Sequence, residues 1–312
     1  MLAALVLAAF SFLSYVLLAR LQPSSRPDVL EGYGRWVRGI PTGATFHALL
    51  HGRAGPPVLT ALGHSAVLIG GAALLVVPLS ILLASAAARR SGRPADLVLR
   101  GVSYLAWGIP AFLLAFLVSL AVTSLGGSHG LGPFPIAGWP GFCPAGVGVD
   151  SGTISPCPAA GTGLRYVLNV VRYVTLPVLT LAVGFIALHG RHLRASLVET
   201  LDAPFVTTAR AKGLSERQVV RRHARRVVLP AFTAGLLADF GAVFGAALAV
   251  DYVFQLGGLG TLFVHEFNPN NGTFDLDSLM TLVLVTAGLV LLSSFAGELA
   301  VDRLDPRVRG RR

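Results

Sequence analysis

The sequence predicts an all-α, polytopic membrane protein with six transmembrane helices. Hydrophobic residues make up 54% of the 312 residues, charged residues only 13%, and the mean hydropathy is +0.69. This composition is too apolar for a soluble domain. A bilayer core about 30 Å thick requires roughly 20 apolar residues in a helix. Six runs reach or approach that length: residues 1–19, 65–87, 102–124, 167–190, 231–256 and 276–300.

The first run, residues 1–19, has two interpretations. A cleaved secretory leader carries a basic segment before a short apolar core. Here no basic residue precedes the run, which is also long for a leader core, so we expect an uncleaved first helix. Residues 1–64 then form this transmembrane helix and an external loop. Residues 65–312 form a core with five transmembrane helices, including a cytosolic loop at 191–230.

Prolines fall within or beside the second, third and fourth runs, and we expect helix kinks there because proline lacks a backbone donor. They are Pro78, Pro110 and Pro177. The fifth run contains two carboxylates, Asp239 and Asp251. Each would cost about 2.5–3.5 kcal/mol at a lipid-facing helix centre, so both should face protein or water. Asp239 either lines a pathway, forms an ion pair or makes a polar packing contact between helices. Asp251 lies near the outer end, where a solvated carboxylate needs no special role.

Both cysteines, Cys143 and Cys157, lie in the external loop after the third run, residues 125–165. This loop is rich in Gly and Pro and is predicted to be irregular. Outside the cytosol the two thiols either form a disulfide that closes a short loop or stay unpaired. The sequence leaves both readings open, and neither implies catalysis.

The distribution of basic residues predicts the orientation of the chain. Lys and Arg in short loops resist export across the membrane. With both termini in the cytosol, 18 of the 25 basic residues fall on the inner side and 7 on the outer side. The net charge of +10 is therefore explained by orientation, and we expect no nucleic-acid partner. His, Cys and carboxylate residues show no metal-ligand spacing, so no metal site is predicted.

The most polar part of the inner side is a basic stretch from Glu199 to Pro230. Asp202 is predicted to cap a first helix whose early Pro204 costs no hydrogen bond. Gly213 then supplies a sharp turn. Ser215 and Gln218 form a capping-box pattern that begins a second helix, which continues to Pro230 and into the fifth run.

These residues resemble the coupling loop of bacterial peptide ABC importer permeases, and in particular the B-type permeases of dipeptide and oligopeptide importers. The resemblance covers residues 65 to 312. It is carried by the run 209–216 (ARAKGLSE), by Phe205-Val206 before it, by Arg222-His223-Ala224 and Leu229-Pro230 after it, and by 176–181, 109–112, 249–260 and the tail 305–309.

The resemblance implies a type I ABC importer transmembrane fold with cytosolic coupling helices in the 191–230 loop. The chain would be a permease subunit in the bacterial plasma (inner) membrane, not an enzyme. ATP and Mg would be bound by partner ATPases, and the sequence contains no G-x-x-x-x-G-K-[ST] phosphate loop of its own. The implied partners are a second homologous permease, one or two cytosolic ABC ATPases and an extracytoplasmic substrate-binding protein.

The resemblance also implies roles for individual residues. Phe205 and Val206 would anchor the ATPase, while Arg210, Lys212 and Glu216 would supply complementary charge. The motif's Ala209 and Ala211 belong to the same helix, and Gly213 fixes the angle between the two helices. Asp239 and Asp251 are candidates for the translocation pathway, with Asp251 as a contact for a peptide's amino end.

The chain departs from the family pattern at three places. Asp251 replaces the usual Glu, Gly257 replaces the usual Pro, and the stretch from Gly213 to Pro230 is one residue shorter. The alternatives are the same fold carrying nickel complexes or another small solute, an ion-driven secondary transporter, and a membrane-embedded enzyme. No convergent catalytic constellation supports the last of these.

Overall fold

The computed structural model describes residues 2–21, 29–43, 58–126, 134–135, 137–141, 161–266 and 276–304. As predicted, the architecture is all-α. The helices are α1 (Leu2–Leu21), α2 (Val29–Thr42), α3 (Val58–Ala88), α4 (Pro94–Gly108), α5 (Ala111–Gly126), α6 (Leu164–Leu201), α7 (Pro204–Ala211), α8 (Glu216–Ala238), α9 (Phe240–Phe254), α10 (Leu259–Glu266) and α11 (Leu276–Leu304).

Three helices in the described residues are each long and apolar enough to cross a membrane, namely α3, α6 and the segment Leu279–Ala296 of α11. Two further candidates are bent pairs, α4 with α5 and α8 with α9, which raise the number to five. A shorter apolar helix covers Ala8–Arg20 in α1. The multi-pass character predicted from the sequence is therefore confirmed.

The third predicted span, 102–124, is not a single continuous helix, and the kink expected at Pro110 is confirmed. α4 and α5 are bent by 95° at Ile109-Pro110. Proline disfavours helical dihedrals in the residue before it, and Ile109 has extended dihedrals (φ −87°, ψ 118°). By contrast, Pro78 and Pro177 lie inside the uninterrupted helices α3 and α6.

The fifth predicted span, 231–256, is also interrupted. α8 and α9 are bent by 49° where they meet at Asp239. Backbone hydrogen bonds flank this bend, since Asp239 N–H donates to Gly235 O at 3.0 Å and Val243 N–H donates to Asp239 O at 3.0 Å.

The chain forms two compact units, and the first comprises residues 1–67, 122–174 and 251–291. In it α2 occupies part of the predicted external loop. Trp36 on α2 is buried and its Nε1 donates to Thr281 Oγ1 on α11 at 3.3 Å. Its ring belongs to a core cluster with Tyr15, Ala19, Leu276 and Met280. The sequence did not predict α2, because its 14 residues are amphipathic and not continuously apolar.

The second unit comprises residues 68–121, 175–250 and 292–312. An apolar cluster of this unit joins the C-terminal ends of α3 and α6 to α7 and α8. The buried members are Ala84, Ala88, Leu193, Leu197, Leu201, Val206, Ala209, Val219, Val220, Ala224, Val228 and Phe232. This cluster, called the coupling core below, holds the basic stretch against two of the apolar helices.

Candidate functional site

The turn between α7 and α8 has the geometry that the sequence predicts. Gly213 has φ +78°, a left-handed conformation that favours glycine. Gly213 N–H donates to Arg210 O at 2.9 Å, and Leu214 N–H donates to Ala209 O at 3.4 Å. This pair of bonds is the Schellman arrangement that ends a helix. A Cβ at Gly213 would meet nothing within 4 Å, so it is the backbone conformation, and not a lack of space, that favours glycine here.

The start of α8 is confirmed as a capped helix end. The side-chain Oε1 of Gln218 accepts the backbone N–H of Ser215 at 3.0 Å, which is the reciprocal half of a capping box. The start of α7 differs from the prediction. Ala203 occupies the N-cap position without a side-chain hydrogen bond, so Asp202 is not the cap. Pro204 follows at the first helical position, as predicted.

The two predicted anchor residues point in opposite directions. Val206 is fully buried in the coupling core, and Ala209 lies beside it. Val206 therefore fastens α7 to its own chain and is not available as an anchor for a partner. Phe205 is 44% exposed, so of the two residues only Phe205 presents its side chain at the surface.

Phe205 lines an open groove between α7 and α8 of about 560 Å³. The other lining residues combine apolar and cationic side chains: Leu214, Arg222, His223, Arg226 and Val227. An apolar floor with a cationic rim fits a partner surface that offers an apolar side chain next to acidic groups. Sequence reasoning did not place His223 at this rim.

The charged residues of the motif are paired within the chain. Arg210 Nε donates to Glu216 Oε1 at 2.6 Å, which bridges the end of α7 and the start of α8 across Gly213. Arg210 Nη1 also donates to Leu201 O at 3.3 Å. The hydrogen bond to Glu216 raises the pKa of Arg210 further, so its guanidinium stays charged. Ala211 and Lys212 are exposed at the tip of the turn.

Beyond its first turn, α8 widens into a π-helical segment over Val220–Ala224 before returning to α-helix at Arg225. Arg225 Nε donates to Ser85 Oγ on α3 at 2.9 Å. This bond ties the basic stretch to an apolar helix in addition to the coupling core. The sequence did not identify Ser85, because one serine in an apolar run has no distinguishing local signal.

Asp239 occupies the bend between α8 and α9. Its Oδ2 lies 3.8 Å from Nε2 of His189 on α6. His189 is buried between the rings of Phe185 and Phe232. Its Nε2 has no hydrogen-bond partner among the described residues, and the Asp239 side chain is 40% exposed. The structure thus places a half-exposed carboxylate beside a buried imidazole at a break in an apolar helix.

Asp251 lies in a different environment, in the first unit. It is 1% exposed. Its Oδ1 accepts the N–H of Gly258 at 2.9 Å, and its Oδ2 accepts the N–H of Thr261 at 2.7 Å. Ser65 Oγ accepts the neighbouring N–H of Leu259 at 2.9 Å. The carboxylate of Asp251 is therefore part of the hydrogen-bonded turn between α9 and α10.

The geometry of this turn also explains why Gly257 and Gly258 are glycines. A Cβ on Gly258 would lie 2.7 Å from Ser65 Oγ and 2.9 Å from Asp251 Oδ1, so a side chain does not fit there. Gly257 has φ +69°. The proline ring fixes φ near −65°, so the proline usual at this place in the resembling family could not adopt this backbone.

Asp96 and Arg194 form the best-connected ion pair in the described part of the chain, and sequence reasoning missed their pairing. Asp96 is fully buried, and Arg194 donates to both of its oxygens, at 2.6 and 2.5 Å. A signal was present, because Asp96 is the single acidic residue between Arg89 and Arg100.

Two predictions receive no support or correction from these contacts. Cys143 and Cys157 lie outside the described residues. No group of three or more His, Cys, Asp or Glu residues capable of holding a metal occurs in the described ranges.

Comparisons with known proteins identify relatives. The family described as "Binding-protein-dependent transport system inner membrane component" matches residues 77–310. A putative peptide permease protein of Brucella ovis is 34% identical over 142 residues, which cover 45% of this chain and 43% of that protein. The match thus spans less than half of that relative.

Two longer matches have lower identity. The dipeptide transport system permease protein of Lactococcus lactis subsp. cremoris is 27% identical over 81% of this chain and 69% of that protein. An oligopeptide transport system permease protein of Mycobacterium tuberculosis is 27% identical over 90% and 81%. Among solved structures, a chain of the inward-facing MetNI methionine ABC transporter has a TM-score of 0.54 at 16% identity, covering 80% of this chain and 94% of that one. That likeness shows the fold, which is the type I ABC importer transmembrane fold.

Proposed function

The chain belongs to the family of binding-protein-dependent transport system inner membrane components, and from that premise we propose that it is the pore-forming permease subunit of an ATP-driven ABC importer for di- or oligopeptides. The names of the relatives, which include peptide, dipeptide and oligopeptide permeases, support this cargo. The observation that carries the proposal is the left-handed turn at Gly213, which joins two helices that share one buried face.

The coupling core explains how movement of a cytosolic partner reaches the apolar helices. α7 and α8 present Phe205 and the cationic groove on one side and bury Val206, Val219 and Ala224 on the other. Movement of the exposed side is therefore transmitted to the inner ends of α3 and α6 through packed side chains. The Arg210–Glu216 pair and Gly213 hold the angle between the helices during that movement.

The partners follow from the same role. They are a second homologous permease, one or two cytosolic ABC ATPases that bind ATP and Mg, and an extracytoplasmic binding protein that delivers the peptide. The chain itself performs no catalysis and binds no nucleic acid. It lies in the bacterial plasma membrane as a multi-pass protein with both termini in the cytosol, an orientation supported by the excess of basic residues on the inner side.

Asp239 is the better candidate for the translocation pathway. It is half-exposed at a helix break, and a cationic amino group passing there would replace the weak contact with His189. Asp251 is proposed instead as the organiser of the turn between α9 and α10, since both of its oxygens accept backbone N–H groups.

The test is peptide uptake into vesicles that contain the chain, its partner permease and its ATPase, with labelled peptide supplied on the binding protein. Gly213→Val should reduce ATP-dependent uptake at least about tenfold, because a β-branched residue strongly disfavours positive φ. Gly213→Asn is the matched control, since Asn tolerates this conformation and should retain most uptake.

Membrane insertion of both variants is measured in parallel and should be normal. Wild-type uptake by the Gly213→Val variant would contradict the coupling role. Uptake that persists without any ATPase would instead favour an ion-driven secondary transporter.

A further inference from the structure

A second cationic cleft lies in the second unit, away from the groove beside Phe205. α3, α4 and α6 enclose it close to the inner end of α3, next to the Arg-rich turn 89–93. Its apolar walls include Leu83, Leu99 and Ile186, and its cationic residues are Arg100, Arg191 and Arg194. The proposed coupling mechanism does not use it.

The charges in this cleft do not balance. The Asp96 carboxylate is engaged by Arg194 through two short hydrogen bonds. Arg100 approaches the same carboxylate only to 3.9 Å, and its buried Nε–H meets no acceptor in the described part of the chain. Within the described residues, Arg191 forms no ion pair with a carboxylate. The guanidinium of Arg191 lies 4.4 Å from the centroid of the Tyr104 ring. Three guanidinium groups thus lie at the cleft beside a single carboxylate, which only Arg194 and Arg100 approach.

The outer face of α4 shows what surrounds the cleft. The residues that turn toward the protein are Asp96, Leu99, Arg100, Ser103 and Ala106, whereas Leu97, Val98, Val102 and Leu105 are exposed and apolar. Tyr104 and Trp107 are partly exposed as well, but they contact Arg191 and Phe185 on α6. An exposed apolar face of this kind is suited to lipid and not to water, and its position beside the arginines favours lipid headgroups at the mouth of the cleft.

We propose that this cleft binds one anionic phospholipid of the inner leaflet. Its phosphate would accept hydrogen bonds from Arg100 and Arg191, which supplies the acceptor that Arg100 Nε–H lacks. An acyl chain would lie along Leu83, Leu99 and Ile186. A neutral zwitterionic lipid would leave the excess positive charge uncompensated, so the cleft should select for net negative headgroups.

The test is native mass spectrometry of the purified transporter complex titrated with phosphatidylglycerol or phosphatidylcholine. The wild type should retain phosphatidylglycerol with at least about tenfold preference over phosphatidylcholine. The double variant Arg100→Gln/Arg191→Gln should lose most of that preference. Arg90→Gln/Arg93→Gln is the matched control, because it removes the same charge from exposed positions outside the cleft and should keep the preference.

Several outcomes would overturn the proposal. A wild type without headgroup preference would do so regardless of how the variants fold, and so would an equal loss in both double variants, which would indicate only diffuse charge attraction. Displacement of phosphatidylglycerol by millimolar inorganic phosphate would show that the cleft binds a free anion. Loss of the partner permease from the Arg100→Gln/Arg191→Gln variant with unchanged lipid binding would identify the cleft as a protein interface.

Discussion

At the residue scale, the two carboxylates of the fifth predicted span have different surroundings. Asp239 is half-exposed at a helix break, while Asp251 is buried and accepts two backbone N–H groups. A buried amide that loses its acceptor costs about 1–3 kcal/mol. The stability of the turn between α9 and α10 therefore depends on Asp251. We expect replacement of Asp251 to affect the stability of the protein more than its transport activity.

We expect Asp251→Ala to destabilise the protein by about 2–4 kcal/mol, because it strands the N–H groups of Gly258 and Thr261. The measurement is the apparent unfolding temperature in detergent. Asp202→Ala is the control, since Asp202 is exposed and caps no helix, and its unfolding temperature should match the wild type. If the two variants have the same unfolding temperature, Asp251 does not stabilise the turn between α9 and α10.

At the scale of elements, α3 and α6 approach each other closely. A Cβ added to Gly71 on α3 would lie 2.9 Å from Val178 Cγ2 on α6, and one added to Gly190 on α6 would lie 4.0 Å from the Cα of Ser80. The neighbouring Gly70 is exposed, and a Cβ there would meet nothing within 4 Å. Two adjacent glycines of one helix thus have opposite environments.

This contrast gives a matched pair of substitutions. Gly71→Leu should lower stability by about 1–3 kcal/mol through overpacking against Val178. Gly70→Leu should leave it unchanged or raise it by up to about 1 kcal/mol, because leucine favours the helix and faces outward. Thermal unfolding of both variants in the same detergent measures the difference. Equal unfolding temperatures would mean that α3 and α6 are not in contact at this level.

Some structural elements could be predicted from the sequence and others could not, for physical reasons. The apolar runs and the signals at Gly213, Ser215 and Gln218 are local, so α3, α6, α7 and the start of α8 were predictable. The kink at Pro110 was expected, although not its size of 95°. The bend at Asp239 was not predicted, because a carboxylate in an apolar run is equally compatible with a continuous helix. Pairings such as Asp96–Arg194 are 98 residues apart and leave only an indirect trace in the sequence.

At the candidate site, too, local features could be predicted from the sequence and contacts between distant residues could not. The sequence identified the residues of the coupling motif but could not tell which face of α7 is buried, so Val206 and Phe205 were assigned the same role. The burial of Val206 depends on Leu197, Val219 and other side chains that arrive from separate helices. Amphipathic periodicity over the eight residues of α7 is too short to decide the face.

At the scale of the whole molecule, the chain contains a single lysine, Lys212, exposed at the tip of the turn between α7 and α8. We expect a membrane-impermeant amine reagent to modify Lys212 in inside-out vesicles and not in intact right-side-out cells. Peptide mass spectrometry identifies the modified residue. Lys212→Arg gives the background from the amino terminus, and modification of Lys212 in intact cells would reverse the proposed orientation.

The bend at Asp239 has a mechanical consequence. The amide hydrogen bonds of Asp239 and Val243 lie on either side of the bend, so each helix keeps its own hydrogen-bonded turn up to Asp239. We propose that the 49° angle between α8 and α9 changes at this one residue while the two helices move as rigid rods. A displacement that arrives along α8 would then tilt α9 instead of compressing it.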